Sequence, residues 1–384
     1  MNTITAKKQN LGQFFTTNSD YILQGFERLI KNKEVSDPFA GNQDLLNWAK
    51  NNRCKNSIGF DCDKSYFDNK NVYFNDSLNC PKKYKFVCTN PPYLHKNKAS
   101  KEIKDLFFSK NNFNFEDLYQ ASIFSILNSE EGILIVPLNF LCAKNSRKIR
   151  DLFFSKFEII KLNIFSEQVF DDTTYNVVAF YFKKRKVLSD KNIIEATIYP
   201  ENKKMQIILE KKFGWQFGGE FICKIKDIKN KLGVFRLTEA FMKDGDHEVE
   251  IALQNFKDKR KLKIDNDLKK LIEKNILFLR AIDSKNGKKI QLEDIRKYKI
   301  TGLVGKNSSR NMAHLIFQKE VSIEEQIKLM EEFNKELSIN REKYSSFFLT
   351  NFRDNNRKRM SFELAYKFLN LIYYEKNSQQ SSLF

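Results

Sequence analysis

The sequence predicts an α/β fold built on a mixed, mostly parallel sheet, followed by a C-terminal α+β region. Two observations carry this. From Glu34 to about Lys184, short β-branched and aromatic runs alternate with helical patterns, as they do when helices cover both faces of a parallel sheet. Beyond Lys184 charge density rises, Gly214, Gly218 and Gly219 cluster, and strand-like runs lose their helical partners. A boundary after residue 186 follows, giving regions 1–186 and 187–384.

The expected strands of the first region are Glu34–Asp37, Ser57–Asp61, Val72–Asn75, Phe86–Thr89, Gly132–Pro137, Ile159–Phe165 and Val177–Phe182. Helices are expected at Gln43–Asn51, Phe115–Leu127 and Ser146–Phe154. The segment joining the last two strands is too short for a helical crossover, so they pair antiparallel. In the second region Gln206–Leu209 and Phe221–Ile225 read as strands. Ser322–Leu337 reads as a helix: Ile323, Ile327, Met330, Phe333 and Leu337 recur at helical spacing, and Ser322 and Glu325 stand at capping-box spacing. The tail from Lys376 is expected to fray.

Lys plus Arg number 67 against 48 Asp plus Glu, a formal charge of +19. Such a balance attracts polyanions, nucleic acid first, although a generally Lys-rich composition would give the same excess. The six cysteines form no C-x-x-C pair and the three histidines are far apart, which argues against a zinc site or disulfide framework, so no metal is expected. No apolar run approaches the roughly 18 residues of a membrane span. A cytoplasmic protein without membrane association is expected.

Ligands of open α/β sheets bind at the carboxyl ends of the strands, where strand order reverses. Four polar clusters stand at such ends: Asp37-Pro38-Phe39-Ala40-Gly41-Asn42, Asp61 with Asp63, Asp76, and Thr89-Asn90-Pro91-Pro92-Tyr93. Gly41 lets a ligand approach the backbone, and Asp61, about 20 residues on, is placed to accept hydrogen bonds from ribose hydroxyls. Asp76 could accept the amino group of the same nucleoside.

In Asn90-Pro91-Pro92-Tyr93 two prolines fix the backbone and aim the preceding carbonyls. An exocyclic ring amine is a poor nucleophile, because its lone pair is conjugated. Hydrogen bonds from its protons to the Asn90 side-chain oxygen and the Pro91 carbonyl favour a tetrahedral, reactive nitrogen. Tyr93 offers a face on which an extruded base can stack.

These residues, in this order, resemble the gamma-arranged, adenine-specific amino-group DNA methyltransferases. The resemblance covers roughly residues 10–184. It includes Leu11-Gly12-Gln13-Phe14-Phe15-Thr16, the clusters above with Asn75-Asp76-Ser77-Leu78, Asp117-Leu118-Tyr119, Gly132–Pro137, Asn139-Phe140-Leu141, Val169-Phe170 and Val177–Phe182. It implies a Rossmann-like domain that binds S-adenosyl-L-methionine through Thr16, Asp37, Pro38, Ala40, Gly41, Asp61, Asp76 and Ser77. It also implies catalysis by Asn90, Pro91, Pro92 and Tyr93 on a flipped adenine, with Phe170 packing on the base opposite Tyr93. One departure is Gln43, where the family often has a second small residue; Gln is expected to begin the helix without strain, at the cost of weaker or repositioned methionine binding. Asn90→Ala is expected to remove most activity while sparing the cofactor.

The second region matches no motif, as a target-recognition region for double-stranded DNA would, and it contains two basic segments, Lys306–Arg310 with Asn311 and Asn351–Arg359, suited either to tracking phosphates or to reaching base edges, or simply to forming a solvated face. The resemblance implies either the modification half of a restriction-modification pair, with a cognate endonuclease acting on the same site, or a solitary regulatory enzyme. The methyltransferase motifs begin near residue 11, and no nuclease segment is expected upstream. Other readings stay open: a protein-glutamine or RNA-adenine methyltransferase, and a DNA-binding subunit with a degenerate core.

Overall fold

The computed structural model describes residues 14–105, 114–170, 176–284, 287–351 and 357–381. Leu11, Gly12 and Gln13 of the N-terminal motif and Phe352–Asn356 of the second basic segment lie outside them. The chain divides into two compact units, with the break between Gly219 and Glu220.

The first unit is built on nine strands: β1 (Glu34–Asp37), β2 (Asn56–Asp61), β3 (Val72–Phe74), β4 (Phe86–Thr89), β5 (Glu131–Pro137), β6 (Phe157–Phe165), β7 (Val177–Lys184), β8 (Lys191–Tyr199) and β9 (Lys203–Glu210). Their order across the sheet is β3-β2-β1-β4-β5-β7-β6-β8-β9. Strands β3 to β5 are parallel, and β7 runs antiparallel between β5 and β6, as expected for the last two strands of the pattern. Every residue of β4 is buried, as befits a central parallel strand covered on both faces. The helix Asp44–Asn51 buries Leu45, Leu46, Trp48 and Ala49. Helices Leu118–Ser125 and Arg147–Lys156 follow β4 and β5. Strand order reverses between β1 and β4, and the acidic and Asn-Pro-Pro-Tyr clusters stand at their carboxyl ends.

The expected boundary after residue 186 is corrected, because β8 and β9 continue the sheet: Lys161–Phe165 pair with Glu195–Tyr199, and β8 with β9. The Lys-rich stretch at the expected boundary only connects β7 to β8 within the sheet. It delivers a strand whose alternation is regular, with Asn192, Ile194, Ala196 and Ile198 buried and their neighbours more exposed. Phe221–Ile225 is not a strand but part of the helix Gly219–Lys226. Phe221 and Ile225 are four residues apart, and Phe221 packs its ring edge-on against Phe348 and Phe368, at centroid distances of 5.0 and 5.2 Å.

The second unit holds a four-stranded antiparallel sheet, in the order Phe235–Arg236, Met312–Ile316, Leu277–Arg280, Gln291–Asp294. A three-stranded sheet places His247–Leu253 between Lys259–Ile264 and Gly302–Val304. Helices Ile323–Lys343 and Phe362–Ser381 complete its core. The capping box is present: Glu325 N–H donates to Ser322 Oγ and Ser322 N–H to Glu325 Oε2, at 3.1 and 2.8 Å. Ile323 is nevertheless exposed, while Gln326 is fully buried and donates to the carbonyls of Lys274 and Val321. The last helix runs to Ser381 rather than fraying at Lys376, since no glycine or proline interrupts it.

Close packing under the β1 turn yields a test. A Cβ on Gly59 would lie 2.5 Å from that of Ala40 and 2.8 Å from Leu46 Cδ1. Gly59→Ala is expected to lower stability by about 1–3 kcal/mol, measurable by denaturant unfolding, with cofactor affinity weakened through the displaced Ala40.

Candidate active site

The turn after β1 is pinned to β2. Ala40 N–H donates to the Phe60 carbonyl and Gln43 N–H to the Ala40 carbonyl, at 2.9 and 2.8 Å. Gly41 sits at φ 43°, its missing Cβ leaving space 3.4 Å from the Phe15 ring, and its N–H donates to Asp61 Oδ2 at 3.0 Å. Asp61 Oδ1 accepts from the Asp63 N–H at 2.8 Å. Burial raises the Asp61 carboxyl above its ordinary value.

Asp37 is buried and bridges the switch point: Thr89 Oγ1 donates to its Oδ1 at 2.5 Å, as does Phe39 N–H at 3.0 Å. Burial, with Asp61 adding to it, pushes the carboxyl up to about 7 against the pull of those hydrogen bonds. Asp76 accepts from the Leu78 and Asn79 N–H groups at 3.2 and 3.1 Å, so it also shapes its own turn.

Asn90 joins two parts of the site. Its Nδ2 donates to the Phe14 carbonyl at 2.9 Å and to Thr16 Oγ1 at 3.1 Å. Its Oδ1 accepts from the Tyr93 hydroxyl, which also lies 2.8 Å from the Ile135 carbonyl. Each carboxylate or amide oxygen carries two lone pairs, so Asn90 Oδ1 and both Asp61 oxygens retain accepting capacity.

All eight residues expected at the cofactor line one cleft: Thr16, Asp37, Pro38, Ala40, Gly41, Asp61, Asp76 and Ser77, together with Asn90 and Pro92. It is an open-mouthed cleft of about 930 Å³, solvent-filled space at the mouth included. Sequence reasoning missed several lining residues, among them Phe14, Phe39, Asp44 and Leu78. Asp44 takes a backbone hydrogen bond from Thr16, and burial raises its carboxyl. Its signal was available as an acidic first-turn residue behind the glycine.

A second cleft is lined by Tyr93, His95, Asn97, Lys98, Asp117, Tyr119, Pro137, Asn139 and Asn145. Four of these, Asp117, Tyr119, Pro137 and Asn139, lie in motifs quoted above without a role. Tyr93 is only 4% exposed, its ring 5.5 Å from Phe14 at a 35° tilt and edge-on to Tyr119. Phe170 is buried and lines neither cleft.

Gln43 departs from its expectation. It does not begin the helix without strain but precedes it at φ 68°, in the left-handed region. Its Nε2 donates to Asp68 at 3.1 Å, and it does not line the cofactor cleft. The strain of a side chain there is roughly 1 kcal/mol. Gln43→Gly is expected to raise the melting temperature by about 2 °C, a gain visible by scanning calorimetry.

A mostly parallel sheet with a reversed β7 and a cleft at the β1–β4 switch point has the architecture of the S-adenosylmethionine-dependent methyltransferase class of fold. Within that class, residues 3–170 match the Eco57I restriction-modification methylase family, and the resemblance drawn from the motifs is borne out over this stretch. Solved structures that the chain matches include a type I restriction-modification methyltransferase subunit from Streptococcus thermophilus, with 14% identity, a TM-score of 0.35, and 51% of this chain and 50% of that one covered. The M protein of the type I restriction enzyme EcoKI shares 16% identity with a TM-score of 0.34, over 44% of each chain. The type IIG restriction endonuclease BpuSI shares 12% identity with a TM-score of 0.35, over 62% of this chain and 36% of its own. The chain thus spans half or less of the length of these structures. No curated protein matches it.

Proposed function

We propose that the chain is a site-specific DNA methyltransferase that moves a methyl group from S-adenosyl-L-methionine to the N6 amino group of a flipped adenine in double-stranded DNA. The observation that carries this reading is the position of the Asn-Pro-Pro-Tyr motif with respect to two clefts. Asn90 and Pro92 line the acid-rich cleft, and Tyr93 lines the other. A base entering the second cleft would meet the cofactor's methyl group across the motif.

The residues fit the cofactor. The Gly41 cradle, acids for a ribose and an amino group, and the apolar Phe39, Leu45 and Leu78 make a donor and packing set suited to a nucleoside carrying a cationic side arm. Bound there, S-adenosylmethionine supplies an electrophilic methyl group. Asp61 would accept from the ribose and Asp76 from the cofactor's adenine, while Thr16 and Asp44 would close the cleft's N-terminal side. Asn90 Oδ1 and the Pro91 carbonyl would accept the two amino protons of the target base and so direct the nitrogen lone pair. Pro92 holds that carbonyl in place, and Tyr93 would support the base. Phe170 is proposed as the base's second aromatic partner on resemblance alone.

Nucleic acid rather than protein is favoured by the +19 charge and by the restriction-modification family matched over residues 3–170. The second unit is proposed to recognise the target sequence. A cognate endonuclease would be the partner in a restriction-modification role, and a solitary epigenetic role would need none. A cytoplasmic, DNA-associated location fits, and among the described residues no helix is long and apolar enough to cross a membrane.

The substrate class is tested by incubating the protein and methyl-labelled cofactor with duplex DNA, structured RNA and a cell protein fraction. Label entering duplex DNA at least tenfold faster than either alternative is expected. Preferential labelling of RNA or protein would overturn the DNA reading.

A further inference from the structure

Described residues of the two basic segments singled out in the sequence meet in the second unit. Both flank the short stretch that follows Leu277–Arg280. Ala281 N–H donates to the Asn311 carbonyl at 2.8 Å, and the Ala281 carbonyl accepts from Met360 N–H at 2.9 Å. Ile282 pairs with Arg359 in an antiparallel bridge, and Asp283 N–H donates to the Lys358 carbonyl at 3.0 Å. Arg310, next to Asn311, and Arg359 therefore lie on opposite sides of the Ala281–Ile282 backbone.

Neither guanidinium forms an ion pair among the described residues, and Arg359 Nε is buried without a hydrogen-bond partner there. The carboxylate on that same stretch, Asp283, is already committed: Arg341 Nη1 and Nη2 hold its two oxygens at 2.8 and 2.7 Å. Burial and the Arg310 charge hold Arg359 below its ordinary value, an unfavourable like-charge arrangement that the fold nonetheless retains. The loop carrying Arg310 is fixed by a third guanidinium. Arg236 donates to the carbonyls of Ser309 and Asn307 and lies 5.0 Å from the centre of the Phe362 ring. Two cations that flank one backbone stretch, with no counter-charge paired to either among the described residues, suit a bridging dianion or a phosphodiester, which a guanidinium binds in fork geometry.

We propose that Arg310 and Arg359 clamp one backbone phosphate of the DNA substrate. This rests on the reading of the chain as a DNA methyltransferase and adds to it a positioning contact that is independent of base sequence.

The test is duplex binding by the full chain over a range of salt concentrations, for wild type, Arg310→Gln, Arg359→Gln and the double variant. Each neutralised phosphate contributes about 0.9 to the slope of log affinity against log salt. The double variant is expected to lose about 0.9 from that slope, for cognate and unrelated duplexes alike. Each single variant should lose most of the same amount, because both arginines hold one phosphate. Melting temperatures of the single variants should equal or exceed wild type, since like-charge repulsion is relieved; a fall in both would show that the guanidiniums serve packing, and overturns the clamp. An unchanged slope in the double variant overturns it while leaving the DNA reading standing, whereas a wild type that binds no duplex overturns both. Inorganic phosphate is the second probe. If it protects wild type but not the double variant from thermal unfolding while their duplex slopes agree, the site takes a free anion and the DNA-backbone assignment fails.

Discussion

Asn90→Ala is expected to lower kcat by about 10²–10³-fold, the cost of removing one preorganised hydrogen-bond partner from a reacting group. The structure changes the accompanying expectation that cofactor binding is spared. Asn90 Nδ2 holds the Phe14 carbonyl and Thr16 Oγ1, and Phe14 and Thr16 both line the cofactor cleft. Two lost hydrogen bonds of about 1 kcal/mol each, partly replaced by water, predict a cofactor affinity weakened roughly fivefold. Asn90→Asp separates the two roles, because it keeps an acceptor at Oδ1 but loses the Nδ2 donor. It should show the same weakened affinity with a smaller fall in kcat. Single-turnover rates at saturating cofactor, with titration calorimetry for affinity, check both.

Cofactor affinity is expected to rise about tenfold for each pH unit between pH 5 and pH 7 and then to level off. The cause is Asp37, whose burial pushes its carboxyl up to about 7. The ligand is cationic, so it favours the ionised carboxylate, and below pH 7 the fraction of protein in that form falls tenfold per unit. Without ligand the dependence has the opposite sign. The folded state holds this proton from about pH 4, where an unfolded aspartate loses it, up to about pH 7. The group's contribution to stability is therefore full below about pH 4 and lost as pH rises through 7. Cofactor should raise the melting temperature more at pH 8 than at pH 6. Asp37→Asn should flatten the affinity profile, and a wild-type profile already flat from pH 5 to 7 would remove Asp37 from that role.

The first seven strands were legible because each is a short apolar run ending in a polar cluster, and the parallel sheet forces those ends together. The same logic brings one cleft together: all eight residues expected at the cofactor from strand-end position and resemblance line it. Three things were not legible. Strands β8 and β9 follow a Lys-rich stretch that has the composition of a linker, and only their alternation marks them. The left-handed backbone at Gln43 follows from how tightly the turn is tied to β2, a tertiary constraint that local propensity cannot carry. The placement of Arg310 and Arg359 on either side of one stretch depends on hydrogen bonds to Ala281 from segments some 30 and 79 residues away in sequence.

The measurement that tests the central claim most directly is the identity of the methylated nucleoside. Duplex DNA of diverse sequence is treated with methyl-labelled S-adenosylmethionine and either the wild-type protein or Asn90→Ala, then digested to nucleosides and separated. Label in N6-methyladenine for wild type, reduced at least a hundredfold in Asn90→Ala, is the predicted result. Label in N4-methylcytosine, or equal labelling by the two proteins, would contradict the account of Asn90 as the acceptor for an adenine amino group.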